Sequence, residues 1–411
     1  SSVNLPIGIA LLPIIFLVLL LSINVFIYGD DSLNGTNQFI LILSGLFGAS
    51  LGFIYKVSYK EILKKISNSV KSVTGALLIL LFVGALAGTW MISGIIPAMV
   101  YYGLKILDPN IFLPACVVIC SIISVATGSS WTTSATVGIA LVGIGKALGI
   151  PPGMVGGAVI AGAYFGDKLS PLSDTTNLAA AVTKVDLFKH IKYLTYTTIP
   201  SISITLIVFI ILGFMQVSDG STDNTYLLSA ITEKFNITLI LFSVPILVLI
   251  MIIKKTPPLI ALVIGTLVGA IFAIIFQPQI ISELSAGSYS KLTNTYVVIM
   301  DTITGPISIE TNNVILNDLF STGGMLGMMN TIFLVIGTMV FGGVMEAIGA
   351  LKTISKTLLQ WADTSFKLFA STVASCLALN LTASDQYLSI VVSGKMFDKA
   401  YKDKKLAPEN L

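Results

Sequence analysis

Two polar strings, TGSSWTTS (127–134) and GDKLSPLSDTTN (166–177), interrupt chain that is otherwise apolar. The residues between them are Gly-rich, almost wholly apolar and numerous enough to cross a bilayer. Runs of Gly, Pro, Ser and Thr unwind helices. Unwound backbone at membrane depth persists only where protein buries it or it lines a wet cavity. Asp167, Lys168 and Asp174 add ionisable groups at a depth where each charge costs at least about 2.5 kcal/mol. The two strings therefore predict broken transmembrane helices arranged around a site that binds or moves an ion.

Composition sets the class. Of 411 residues, 55% are hydrophobic and 10% charged, and the mean hydropathy is +0.94. Soluble chains carry roughly 25% charged residues, so the reading is an all-α polytopic membrane protein embedded in a lipid bilayer. A net charge of +3 is too small for a nucleic-acid footprint. All 23 basic residues are lysine, which leaves no guanidinium fork to clamp a carboxylate at two points. Cys116, Cys120 and Cys376 lie in apolar runs without a CxxC or histidine partner and read as small packing residues. His190, the one histidine, falls in a Lys-rich loop and reads as a surface residue. ALVGIGKA (140–147) has alanine where a phosphate loop needs its first glycine and its final hydroxyl. Neither an ATP-driven pump nor an enzyme is expected, and no cofactor.

Spans are expected at Pro6–Tyr28, read as a crossing rather than a leader peptide, at Gln38–Tyr55 and at Val73–Ser93. Between the last two lies KVSYKEILKKISNSVK (56–71), read as a basic loop. The arms Ile111–Ala126 and Ala135–Ile150 flank the first polar tip and are short for full crossings, which suits a re-entrant hairpin; one broken helix is the competitor. Pro152–Phe165 begins a crossing that the second string interrupts and that ends near Thr183. Further spans follow at Tyr193–Phe214, Ile237–Ile253, Pro258–Phe276 and Met325–Ala350, with 277–320 read as a long loop and 352–367 as amphipathic. The last apolar stretch, Leu368–Val392, is broken by NLTASDQY (380–387). Lysines concentrate in 56–71, 184–192, 254–255, 352–367 and 395–405, whereas 29–37, 215–236 and 277–320 are acidic, so the first set is expected in the cytoplasm.

A repeat is also visible. GTWMISG (88–94) and GVMEAIG (343–349) share framing glycines, and nearly the same spacing separates Cys120 from Cys376, Trp131 from Tyr387 and Gly138 from Gly394. The pattern predicts inverted repeats with two helical hairpins. Residues 1–72 are expected to form N-terminal spans and a basic loop, 73–214 the first repeat, and 215–411 the second.

Hydroxyls, freed carbonyls and carboxylates make a hard oxygen site suited to Na⁺ or a proton. Asp174 is the leading carrier, flanked by Ser173, Thr175, Thr176 and Asn177; capping the following half-helix is its structural alternative. Ser129, Ser130, Thr132 and Thr133 supply hydroxyls at the first tip, and Asp174, Thr175 and Thr133 form the expected Na⁺ set. Asp167 is a binder, a gate or half of an ion pair with Lys168; Glu346 in its apolar helix is an ion ligand or half of a satisfied interhelical bond, and Asp385 with Asn380 at the second tip, with the same two readings, complete the candidates. The glycine faces Gly84/Gly88, Gly342/Gly343 and Gly153/Gly156/Gly157 suit close helix packing.

The strings TGSSWTTSATVG, AYFGDKLSPLSDTTNLAA and NLTASDQYLSIVVSGKMF closely resemble the NhaC-type Na⁺/H⁺ antiporter family, which includes exchangers of malate and protons for sodium and lactate. The resemblance spans essentially the whole chain, and GDKLSPLSDTTN is its most specific string. It implies a secondary antiporter of the bacterial inner membrane, within the wider ion-transporter superfamily of inverted repeats. It also implies that sequence continues past a segment like LAPENL (406–411) into an SR…ED…GT motif, so the counterpart of the GDKLSPLSDTTN break is expected beyond Leu411. Three functions compete: Na⁺/H⁺ exchange at a shared carboxylate, ion-coupled exchange of small carboxylates, and a channel. A second copy of the chain is a further candidate partner.

Overall fold

Apolar chain in lipid must satisfy its own backbone, and here it does so as helices. The computed structural model describes residues 5–411 apart from 107, 172, 217–223, 255, 286–289, 312–315, 318–319, 361 and 384–385. Among the described residues seven helices are long and apolar enough to cross a membrane, or eight if one bent pair is a single span. The bent pair turns by 87° between Leu227–Lys234 and Leu239–Ile252. The all-α polytopic reading holds; the only strands described are two residues long, Ile307–Ser308 and Ser321–Thr322, paired antiparallel.

Helices α1 (Ile7–Tyr28) and α2 (Thr36–Ile54) match the first two expected spans. The expected basic loop does not separate the next one: α3 runs unbroken over Tyr59–Ile92. Its first turns carry strong helix formers, Lys, Glu and Leu, and Ser58 Oγ accepts the Glu61 N–H at 3.2 Å, so the helix starts with the charged segment. After α3 come α4 (Ile95–Ile106), α5 (Pro109–Thr127), α6 (Ser130–Thr133), a π-helical turn (Ser134–Gly138) and α7 (Ile139–Ala147). The second polar string covers the end of α8 (Pro152–Leu169) and the start of α9 (Asp174–Thr183), so the helix is interrupted there as expected. Next are α10 (Leu187–Gln216), α11 (Asn224–Lys234), α12 (Ser243–Ile253) and α13 (Pro258–Phe276).

Segment 277–320 is more than a loop. It holds α14 (Pro278–Leu284), α15 (Lys291–Thr304) and one strand of the short ladder. Its apolar residues explain the order: Val298, Ile309, Leu316 and Phe320 are buried, with Phe320 edge-on to Phe235 at 5.1 Å. Gln277 ties its start, accepting from Asn236 N at 3.0 Å and donating to Asn236 O at 2.9 Å. The chain ends in α16 (Met329–Ala347), α17 (Ala350–Gln360), α18 (Ser365–Ala383) and α19 (Gln386–Asp403).

The chain divides into two compact units. The first comprises Ser1–Leu77, Asp174–His190 and Asn330–Leu411; the second comprises Leu78–Ser173 and Ile191–Met329. Ala10, Leu41, Phe341, Met345 and Ile348 centre the main core of the first. Trp90, Phe112, Val117, Phe235 and Leu262 belong to the core of the second.

Both glycine-framed segments end the same way. Gly94 follows α3 and Gly349 follows α16, each with φ +80°, a left-handed conformation that glycine alone adopts cheaply. Each leads into a short helix (12 residues in α4, 11 in α17) and then a 19-residue helix. Gly84 and Gly88 do pack closely, on the carbonyls of Gly324 and Thr302, and Gly343 packs on the Ile66 backbone at 2.7 Å from an added Cβ. Gly153 and Gly156 do not: nothing lies within 4 Å of where their Cβ would be. On α8 the packing glycines are Gly162 and Gly166, which seat the carbonyls of Val117 and Ser121 from α5. Ser124 Oγ then donates to Ala163 O at 2.5 Å, joining the same two helices.

Candidate functional site

The site in the second unit starts at a helix end. Gly128, φ +68°, caps α5 by donating its N–H to Ser124 O at 2.8 Å, and one residue later the chain re-enters helix as α6. The start of α6 comes against the last turn of α8. There Ser130 Oγ donates to Asp167 Oδ2 at 3.0 Å, with both residues buried, at 2% and 6% exposure. A hydroxyl donating to a carboxylate in a dry setting is a strong, directional bond. The N-terminus of a helix also carries partial positive charge, which favours an anion beside its first residue.

Backbone irregularity surrounds this pair. Thr133, fully buried, donates its hydroxyl to Ser129 O at 2.9 Å, and the π-helical turn begins at the next residue. Such turns recur at functional sites because they displace carbonyls from the regular ladder. Beyond Asp167, α8 unwinds through two successive turns, Ser170 N to Asp167 O at 3.1 Å and Ser173 N to Ser170 O at 3.2 Å. Ser170 and Ser173 are both fully buried, whereas Lys168 is exposed. The adjacent Asp and Lys thus point into different surroundings. What results is a set of hard oxygen atoms, one carboxylate among several hydroxyls. Among the described residues no group of three or more His, Cys, Asp or Glu is placed to hold a resident metal.

The remaining candidates belong to the first unit. Thr175, Thr176 and Asn177 occupy the first turn of α9, with Thr176 buried and Asn177 exposed. The side chain of Asp174 and the whole of Asp385, and in the second unit the side chain of Thr132, lie outside the described residues. Asn380 is exposed; its Nδ2 donates to Ser389 Oγ at 3.4 Å, and Ser389 donates to Cys376 O at 3.1 Å. Glu346 is paired with Lys65 Nζ at 2.7 Å, their side chains 31% and 36% exposed. A lysine near the start of α3 thus supplies the interhelical partner that was one of the two sequence readings of Glu346.

Several contributors escaped the sequence reading. Ser121 and Ser124 line the α5 face that meets α8, Ser170 is buried in the break, and Gly162 and Gly166 set the approach. The signal was present: GAYFG (162–166) is a GxxxG string, and the two serines stand three residues apart, on one helix face.

The pattern of the family described as "Na+/H+ antiporter family" matches residues 162–411. The Malate-2H(+)/Na(+)-lactate antiporter of Bacillus subtilis is 37% identical over 389 residues, 94% of this chain and 79% of the relative. The chain belongs to the Na⁺/H⁺ antiporter family. Within it, the Na(+)/H(+) antiporter NhaC of Alkalihalophilus pseudofirmus is 35% identical over 90% of the chain and 77% of its own length. The Arginine/ornithine antiporter ArcD of Halobacterium salinarum is 32% identical over 95% and 77%. This antiporter-family chain is thus a multi-pass membrane protein whose relatives carry names with different cargoes. Its matched region includes Asp167, the second polar string and everything after it.

Proposed function

We propose that this protein is a secondary antiporter exchanging Na⁺ for H⁺ across the bacterial plasma membrane by alternating access. The observation that carries the reading is the buried pair Ser130–Asp167 at a helix break. A carboxylate there can hold either a proton or Na⁺, and mutual exclusion at one group couples the two flows without any pH-gated switch. Ser129, Ser130, Thr133, Ser170 and Ser173 are the neighbouring oxygen donors on this reading. Asp174, with Thr175, Thr176 and Asn177 at the start of α9, is on this reading a second essential acid on the transport path. The resemblance of the two glycine-framed segments supports an internal duplication, which we assign to residues 73–214 and 215–411 in opposite orientations.

Competition makes a quantitative demand. Below the pKa of the shared carboxylate, apparent Na⁺ affinity must fall tenfold per pH unit, because every bound proton excludes the cation. Na⁺ binding by calorimetry across pH measures this directly. A pH-independent affinity would sink the shared-site mechanism.

A second reading rests on the 37% identical malate/lactate exchanger. Here the hydroxyls and helix N-termini hold a small carboxylate beside Na⁺, a role that does not need arginine. Counterflow in proteoliposomes offered Na⁺, Li⁺, K⁺, malate and lactate separately distinguishes the two. Exchange of Na⁺ and H⁺ with no organic anion present supports the first; strict dependence on malate or lactate supports the second.

A further inference from the structure

The second unit also contains a cavity of about 500 Å³ walled by α4, α7, the π-helical turn and α12. Its lining includes Met99, Tyr102, Ile106, Leu141, Phe242 and Leu249. Trp90 also faces it, but the indole N–H is committed to Gly265 O at 3.1 Å. Water needs two to four polar partners to occupy a cavity, and these walls do not offer them. An ion or a carboxylate would lose its hydration for nothing in return. Leaving so large a space empty forfeits dispersion contacts on every wall. The occupant is therefore apolar.

The rim says where it comes from. Ile106, Leu239 and Ile246 are 76%, 69% and 52% exposed, large apolar side chains at the edge of a membrane protein's surface. The cavity thus opens toward lipid tails. One turn of α4 carries both the apolar wall and a cation. Tyr102 and Ile106 face the cavity four residues apart. On the adjacent face Lys105 Nζ donates to Tyr101 OH at 2.6 Å and sits 4.3 Å from the ring centroid. Tyr101 in turn packs edge-on to Tyr102 at 5.2 Å, and Tyr102 against Phe242 at 5.5 Å. Tyrosines with a lysine at a helix end are the arrangement that anchors a chain at the membrane–water boundary. Asp108, the nearest acid in sequence, is engaged with the N–H and side chain of Asn110.

We infer that this cavity is a binding site for one anionic phospholipid, with an acyl chain between α4, α7 and α12 and the phosphate at Lys105. The inference does not depend on the identity of the transported ion. Native mass spectrometry of the full chain, released from detergent after equilibration with phosphatidylglycerol or phosphatidylcholine, tests it. One phosphatidylglycerol should be retained per chain, in about fivefold preference over phosphatidylcholine, the selectivity one lysine near the surface supplies. Lys105→Gln should bring the two lipids to equal retention. Leu249→Trp, which fills the cavity, should lose both while melting at the wild-type temperature. Equal retention of both lipids by the wild type would overturn the headgroup assignment, and undiminished retention by a folded Leu249→Trp the cavity. A fold-independent check uses the wild-type chain: phosphatidylglycerol brominated on its acyl chain should quench more tryptophan fluorescence than brominated phosphatidylcholine at equal mole fraction. Identical quenching would also refute the site.

Discussion

Ser130→Ala removes one oxygen atom from the site, and its consequence can be worked from the geometry. The hydroxyl donates to Asp167 Oδ2 at 3.0 Å, and both groups are buried, so water does not replace it at no cost. A hydrogen bond to a charged group is worth about 1.5–3 kcal/mol. At about 1.4 kcal/mol per decade, that is roughly a 10- to 150-fold loss if the bond or its oxygen is used in holding Na⁺. Fold should survive, because Gly128, Thr133 and the Ser124–Ala163 link hold the α5–α6 turn independently. The assay is Na⁺-driven proton movement in proteoliposomes, read with a pH-sensitive dye while Na⁺ is titrated at fixed alkaline pH. The half-saturating Na⁺ concentration should rise by that factor, and Ser130→Thr, which restores a hydroxyl, should recover most of it. A folded Ser130→Ala protein with wild-type Na⁺ dependence would show that Asp167 is a structural acid and the cargo binds elsewhere.

Three further outcomes are expected. Asp174→Asn should abolish exchange while leaving the helical circular-dichroism signal and melting temperature intact; near-wild-type Na⁺-driven pH changes would remove Asp174 from the mechanism. Glu346→Gln should keep the Na⁺ dependence and lower stability by about 1 kcal/mol or less, the worth of a half-exposed ion pair, as measured by denaturant titration. A large shift in half-saturating Na⁺ would instead return Glu346 to the transport path. Gly166→Leu drives a side chain onto the Ser121 carbonyl and should destabilise the protein by about 1–3 kcal/mol or more, seen as a lower melting temperature in detergent.

Much of the fold was readable because lipid leaves the backbone few choices. Apolar length alone located α1, α2, α10 and α13. Clusters of Ser, Thr, Gly and Pro located the interruptions, since those residues favour turns and caps over continued helix. Two features resisted. The lysines of 56–71 suggest a loop although Lys, Glu and Leu are good helix formers; charge reports contact with water, which a helix projecting from the membrane also provides. Segment 277–320 looks like a loop in sequence because its apolar residues are scattered, and only tertiary partners such as Phe235 gather them. At the site, the residue types were legible but the pairing was not. Nothing local in the sequence says that Ser130 meets an acid 37 positions away. Likewise an interhelical bond is an open reading for Glu346, but its partner, Lys65, 281 residues distant, cannot be picked out locally.

The contact between α5 and α8 has a mechanical consequence. Carbonyls of one helix rest on glycine Cα atoms of the other at two successive turns, and a serine hydroxyl bridges the backbones between them. No flexible side chains are interposed there to cushion a shift. Sliding either helix by a fraction of an ångström meets hard atoms, so the pair behaves as one stiff beam. On the proposed mechanism, arrival or departure of a cation at Asp167 is taken up by parts without that clamp, such as the turn at Gly128–Ser130, where α5 ends and α6 begins. The beam fixes where the carboxylate stands while the adjoining joints yield.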